Sequence, residues 1–72
     1  MSIKEKIGER IKDLRNKAGI SQMELANIAD LDRTYITSVE NGKRNISIVN
    51  LEKIALALNV SLKTFFKGKP FD

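Results

Sequence analysis

The 72-residue sequence contains no cysteine, no histidine and no tryptophan, and it has a single proline. Without cysteine, the chain can form neither a disulfide bond nor a thiolate-ligated metal site. A core of this size rarely supplies more than about 3–5 kcal/mol of net stability, so we expect close helix packing or oligomerisation to stabilise the fold. An enzyme would also lack its best nucleophile and its commonest general base.

Long apolar runs are missing as well. No stretch approaches the roughly 20 apolar residues of a membrane span, and the first residues, which include Lys4, Glu5 and Lys6, lack the apolar segment of a signal peptide. The absence of cysteine fits a reducing compartment. We therefore expect a cytoplasmic protein with no membrane partner.

Positive charge is in excess. Thirteen Lys and Arg residues stand against nine Asp and Glu residues, which gives a net charge of +4, and 42% of the residues are hydrophobic. The composition is that of a small packed domain, and the charge favours a polyanionic partner such as nucleic acid. The same charge would also serve solubility, so it does not decide the function.

The start of the chain has the periodicity of an amphipathic helix. Apolar residues recur at spacings of four, four and three, at Ile3, Ile7, Ile11 and Leu14. This spacing predicts a helix from about Ser2 to Ala18. Gly19 follows as the left-handed residue that commonly ends a helix.

A second, shorter helix is predicted to follow Ser21. Glu24 comes three residues later, which makes a capping box in which each side chain accepts a hydrogen bond from the other residue's backbone amide. The helix should stop near Asp30. Its buried side is predicted to consist of Leu25, Ile28 and Ala29.

Asp32 is a good N-cap for a third helix that runs from Arg33 to about Asn41. Ile36 and Val39 are predicted to point inward, and Gly42 to end the helix. Ser47 caps a fourth helix, whose apolar face we predict to be Ile48, Leu51, Ile54, Ala55 and Leu58.

The last helix starts at Ser61 with "SLKTFF", and residues 67–72, which contain the proline, are predicted to be a frayed tail. No strand alternation occurs. We therefore predict an all-α fold of five helices in a single domain, residues 1–72.

The second and third helices together have the pattern of a helix-turn-helix. Two helices that cross steeply need small side chains where their axes approach, and Ala26 and Ala29 supply them. Branched side chains must fill the angle, as Ile36 and Val39 do. The turn needs a positive φ, which Asp30 tolerates better than most residues.

The segment "SQMELANIADLDRTYITSVENGKRN" resembles the Xre/lambda-repressor-like helix-turn-helix family, with its Gln-x3-Ala and Glu-x-Gly motifs. Within that family, "LDRTYITSVENGKRNISI" is similar to the controller proteins of restriction-modification systems, which carry Arg-Thr-Tyr-Ile-Ser and a Gly-x-Arg-Asn loop. Thr37 stands where those proteins usually have serine. The resemblance implies a five-helix lambda-repressor-like domain that binds double-stranded DNA and regulates transcription.

A recognition helix enters the major groove with its N-terminal turns against the bases. Arg33 can bind guanine O6 and N7, and an arginine at a helix N-terminus is disfavoured by the helix dipole, which suggests selection for contact. Thr34, Thr37 and Ser38 are poor helix formers that can reach base edges. We predict base contacts from Arg33, Thr34, Thr37 and Ser38.

Contacts with the DNA backbone are predicted for Gln22, Tyr35, Lys43, Arg44 and Asn45. Gln22 lies at a helix N-terminus, where amides attract phosphate. The alternatives are half-buried packing for Tyr35 and a solvated turn for residues 43–45. Glu40 is predicted to be a structural partner, for Arg15 or for the following loop.

One recognition helix reads too few base pairs for selective binding, and the usual solution is a two-fold dimer on a palindromic operator. We predict a homodimer. The resemblance places its interface on the last two helices, at Ile46, Ile48, Val49, Leu62, Phe65 and Phe66. The last helix is too short to bury both phenylalanines on one face, so we expect one to cap the core and the other to meet the partner chain.

A protein-interaction module is the alternative to a DNA-binding regulator. An antitoxin or other protein-interaction module uses the same helices but usually adds an extension that covers its partner. A controller would instead act on restriction-modification genes, with RNA polymerase as a further partner. Catalysis is disfavoured, because no carboxylate pair, phosphate-binding glycine loop or metal-ligand spacing is present, and we expect no cofactor, metal or small-molecule ligand.

Overall fold

The helices begin where the sequence places capping residues. The computed structural model describes residues 1–72 and contains α1 (Ile3–Ala18), α2 (Gln22–Ala29), α3 (Arg33–Glu40), α4 (Ile48–Ala57) and α5 (Leu62–Phe65), with no strand. At the start of four of these helices a serine hydroxyl accepts a hydrogen bond from a backbone amide of the first turn. The four serines are Ser2, Ser21, Ser47 and Ser61. The five predicted helices are confirmed.

Asp32 occupies the N-cap position of α3 as predicted, but its side chain makes no capping hydrogen bond. The helix ends also agree with the prediction within about one residue. Gly19 ends α1 with φ of 71° and Asp30 ends α2 with φ of 56°, both left-handed. Gly42, with φ of 72°, follows the end of α3 and turns the chain toward α4.

The core joins all five helices. Helix α1 packs on α3, α2 packs on both α3 and α4, and α5 packs on α4. Ala26 and Ala29 are buried where α2 meets its neighbours, and Ile36 and Val39 fill the angle below α3. The helix-turn-helix geometry predicted from these small and branched residues is therefore present. None of the five helices has the length and hydrophobicity that a bilayer crossing requires.

Three isoleucines of the predicted apolar patterns are exposed: Ile28, predicted to be buried, at 60%, and Ile3 and Ile48 at 59% and 67%. Ile3 and Ile48 are the first residues of α1 and α4, one turn ahead of the first core residue in each helix. At about 100° per residue, Ile28 lies outside the arc of α2 that Leu25, Ala26 and Ala29 bury.

The predicted frayed tail folds back onto the core. Phe71 packs against the core cluster, with its ring centroid 6.1 Å from that of Phe65 and 4.9 Å from that of Phe66. Its backbone N–H donates to the carbonyl oxygen of Gly68 at 2.9 Å. The proline and the charges of residues 67–72 suggested a loose tail. Partial burial of the Phe71 ring instead holds this segment against the core.

Phe65 is a core residue with no exposed surface, so its predicted place in a dimer interface is wrong. The single turn of α5 directs this ring inward, and Phe66, at 38% exposure, remains at the surface. Arg10 fixes the turn: its Nε donates to the Phe65 carbonyl at 2.7 Å and its Nη2 donates to the Thr64 carbonyl at 2.8 Å. Arg10 therefore joins α1 to α5.

A close backbone approach sets the distance between α1 and α3. A methyl group on Gly8 would overlap the carbonyl oxygen of Val39 and would lie 2.8 Å from that of Glu40. Any larger residue at position 8 would push the end of α3 away from α1.

Candidate nucleic-acid interface

The outward side of α3 brings the four predicted base-contact residues together. The helix buries Ile36, Val39 and Glu40, which leaves Arg33 and Thr34 exposed and Thr37 and Ser38 half-buried. These four side chains, which we call the reading face, line one shallow concave surface with Asn41 and Lys43. All six residues that line this concave surface are polar, and two of them, Arg33 and Lys43, are cations.

An ion pair holds the end of α3 against α1. Arg15 donates from Nε to Glu40 Oε2 at 2.7 Å and from Nη2 to Glu40 Oε1 at 3.0 Å, and a third bond from Nη1 reaches the Ile20 carbonyl at 3.0 Å. The side chains are 12% and 2% exposed for Arg15 and Glu40. The predicted partnership of Glu40 with Arg15 is thus confirmed.

The hydrogen bonds with the Glu40 carboxylate raise the pKa of the Arg15 guanidinium above its ordinary value. A raised pKa means that the folded state holds this proton more tightly than the unfolded chain. The stabilisation is present below the ordinary arginine pKa and is lost only at strongly alkaline pH. The Arg15 guanidinium is therefore charged throughout the neutral range.

Gln22 extends this network to the reading face. Its Nε2 donates to Glu40 Oε1 at 3.1 Å, and its Oε1 accepts a hydrogen bond from the hydroxyl of Thr37 at 2.9 Å. The amide therefore links the start of α2 to α3, which the sequence did not reveal. Contact of Gln22 with a DNA phosphate stays a prediction, and the second hydrogen on Nε2 is free for it.

Tyr35 and Arg44 form a second contact that the sequence did not reveal. The guanidinium carbon of Arg44 lies 4.9 Å from the centroid of the Tyr35 ring, within cation–π range. The ring is partly buried against the core, so Tyr35 is both a packing residue and a support for Arg44. Arg44 lies nine positions after Tyr35, in the loop that follows the helix. No local sequence rule predicts a contact between two residues so placed.

The loop after α3 carries the remaining predicted backbone contacts. Lys43, Arg44 and Asn45 are all exposed. Lys43 borders the reading face, whereas Arg44 and Asn45 line a separate depression beside Lys4 at the start of α1. The structure thus adds Lys4 to the cations near the loop.

The residues predicted for a dimer interface divide by exposure. Ile48, Val49 and Phe66 are exposed, and Ile46 and Leu62 are half-buried against the core.

No group of three or more histidine, cysteine or acidic side chains lies close enough to hold a metal ion.

Comparison with known proteins shows extensive similarity. Residues 11–65 match the family described as helix-turn-helix. The control protein C.MunI of a Mycoplasma species is 51% identical over 65 residues, which cover 89% of this chain and 88% of that protein.

Two solved structures are similar in both sequence and fold. The restriction-modification controller protein C.AhdI from Aeromonas hydrophila is 43% identical with a TM-score of 0.84, over 88% of this chain and 96% of that one. The controller C.Esp1396I, solved as a tetramer in complex with its natural 35-base-pair operator, is 40% identical with a TM-score of 0.87, over 93% and 90% of the two chains.

We predict that Glu40→Gln lowers the free energy of unfolding by about 3 kcal/mol, because a buried guanidinium then loses its charged partner. The exposed pair of Lys17 with Asp13, 3.2 Å apart, supplies the control. Lys17→Met, which leaves the contact of Asp13 with Arg10 in place, should cost less than about 1 kcal/mol. Urea unfolding at low temperature measures both, and equal losses for the two variants would contradict a special role for the buried pair.

Proposed function

The chain belongs to the helix-turn-helix family, and from that premise we propose that it is a sequence-specific DNA-binding regulator of transcription of the restriction-modification controller type. The reading face is the observation that carries the proposal. It gathers one arginine and three hydroxyl side chains on the outward side of a short helix, where a helix-turn-helix meets the major groove. Such a regulator performs no catalytic step and acts in the cytoplasm.

The chemistry of the reading face suits base edges. Arg33 is exposed at the first position of α3, and its planar guanidinium matches the two acceptors of guanine, O6 and N7. Thr34 and Thr37 combine a hydroxyl with a methyl group that can touch thymine. Ser38, one turn after Thr34 on the same side of the helix, completes the set.

Contacts with phosphates would fix the register of the protein on the duplex. Lys43 borders the reading face, and Arg44 is supported from below by the ring of Tyr35. We assign Tyr35 the role of holding Arg44, and we retain Asn45 and Gln22 as backbone contacts.

We further propose that residues 1–72 form one DNA-binding domain that acts as a homodimer on a palindromic operator. Ile48 and Val49 at the start of α4 and Phe66 after α5 are exposed apolar side chains, and Ile46 and Leu62 are partly buried. Pairing would bury these side chains and double the number of bases read. The tetrameric complex of C.Esp1396I with its operator supports an oligomeric DNA-bound form.

Replacement of Arg33 by alanine tests base reading. We predict a loss of about 1–3 kcal/mol on an operator selected from a random duplex pool, because the guanine contact is removed. Affinity for unrelated duplexes should change much less. Lys12→Ala, which removes one positive charge from the exposed side of α1, controls for charge, and fluorescence anisotropy at one salt concentration measures all variants. Equal losses on selected and unrelated duplexes would contradict base reading.

Ile48→Asp tests the dimer. The charge would lie in the apolar interface and should shift the protein to monomer at micromolar concentration. Met23→Asp places the same charge on an exposed apolar position of α2 and should leave the dimer intact. Sedimentation velocity distinguishes the species, and a dimer that survives Ile48→Asp would show that the interface lies elsewhere.

A further inference from the structure

We infer that the buried Glu40, acting through Gln22, makes the hydroxyl of Thr37 donate its hydrogen toward the protein. The oxygen of Thr37 is then an acceptor for the DNA and selects a base that carries an amino group. The inference rests on the proposed function and assigns a specificity to one position of the reading face. It makes Gln22 a positioning residue, in addition to any phosphate contact.

The chain of hydrogen bonds starts at a group that can only accept. Arg15 donates to both oxygens of the Glu40 carboxylate, and because a guanidinium has only donors, both of these oxygens act as acceptors. Oε1 also receives a hydrogen bond from Gln22 at 3.1 Å. The amide of Gln22 must therefore direct its NH2 group toward Glu40, since the reverse orientation would place two oxygens together.

This orientation leaves the oxygen of Gln22 facing Thr37. The distance from Thr37 Oγ1 to Gln22 Oε1 is 2.9 Å, and because Oε1 can only accept, Thr37 must donate its single hydroxyl hydrogen. The other group within reach of Oγ1 is the carbonyl oxygen of Arg33, 3.1 Å away, which is an acceptor too. Both internal neighbours therefore draw the hydrogen inward and leave an oxygen lone pair for an outside donor.

The outside of Thr37 belongs to the reading face, between Arg33 and the half-buried Ser38. In the major groove, adenine N6 and cytosine N4 donate hydrogen bonds, whereas guanine O6 and thymine O4 accept them. A freely rotating hydroxyl serves either class. A hydroxyl whose hydrogen is committed inward favours adenine or cytosine, so each half-site should contain one position where these bases are preferred on the strand that faces Thr37.

Selection of bound sites from a random duplex pool tests this with the unaltered protein and three variants. Thr37→Val keeps the shape and removes the hydroxyl, so the preference for adenine or cytosine should fall roughly three- to tenfold, the worth of one hydrogen bond. Thr37→Ser keeps the hydroxyl and should retain the preference.

Gln22→Met keeps the length of the side chain but removes the acceptor that faces Thr37. The hydroxyl then has only the Arg33 carbonyl as an internal acceptor, so the preference at the same base-pair position should weaken, but by less than in Thr37→Val. The rest of the selected site should be unchanged. Circular dichroism verifies that each variant is folded.

The outcomes separate the inference from the proposed function. A symmetric selected site in which no position responds to Thr37→Val overturns the inference and leaves DNA reading by α3 intact. A position that responds to Thr37→Val but not to Gln22→Met overturns the role of Gln22. Failure of the unaltered protein to select any site contradicts the proposed function itself.

Discussion

The ion pair between Arg15 and Glu40 joins the first helix to the end of the third, and the placement of the reading face depends on it. A buried pair adds little net stability compared with apolar packing, because both charges lose water. Its geometry is nevertheless demanding: two bonds between the side chains and a third to the Ile20 carbonyl fix the guanidinium in one orientation. Gly8 permits the close backbone approach that brings the pair together. The pair and the glycine together hold an eight-residue helix that would not be stable alone.

The same pair links structure to chemistry. Glu40 faces inward, yet through Gln22 it is linked to Thr37, one turn earlier on α3 and part of the reading face. A side chain that never meets DNA thus restricts what its neighbour can offer to a base. Function here depends on ordinary polar groups whose positions and donor directions are set by the fold.

Sequence reasoning found the features that local rules determine. Serine caps, left-handed residues such as Gly19 and Asp30, and the small residues Ala26 and Ala29 have physical causes within a few positions of themselves. The resemblance of the α2–α3 segment to a known family supplied the fold and the function, and both agree with the observed similarity to controller proteins. The reading face could be predicted because residues one helical turn apart share a face, so the side opposite Ile36 and Val39 must point outward.

Most of the errors concern contacts between distant parts of the chain, and the missing capping hydrogen bond of Asp32 is the local exception. Ile28 was expected inside because it is apolar and on the correct helix, but neighbouring helices decide which arc of α2 is covered. Phe65 and Phe66 are adjacent and chemically identical. Only the packing of α5 decides that Phe65 lies in the core and Phe66 at the surface. Arg10 bonds to carbonyl groups more than fifty residues away, and the ring of Phe71 closes over the core from the tail. Periodicity contains no information on such long-range partners.

The claim that α3 presents its reading face to DNA can be tested directly by recording backbone amide chemical shifts while a selected operator duplex is added. The account predicts that the largest changes fall on residues 33–38 and on Gln22, and that a scrambled duplex at the same salt concentration produces smaller changes there. Largest changes around the apolar groove between α2 and α4, which contains Ile28 and Leu56, with residues 33–38 unaffected, would contradict it.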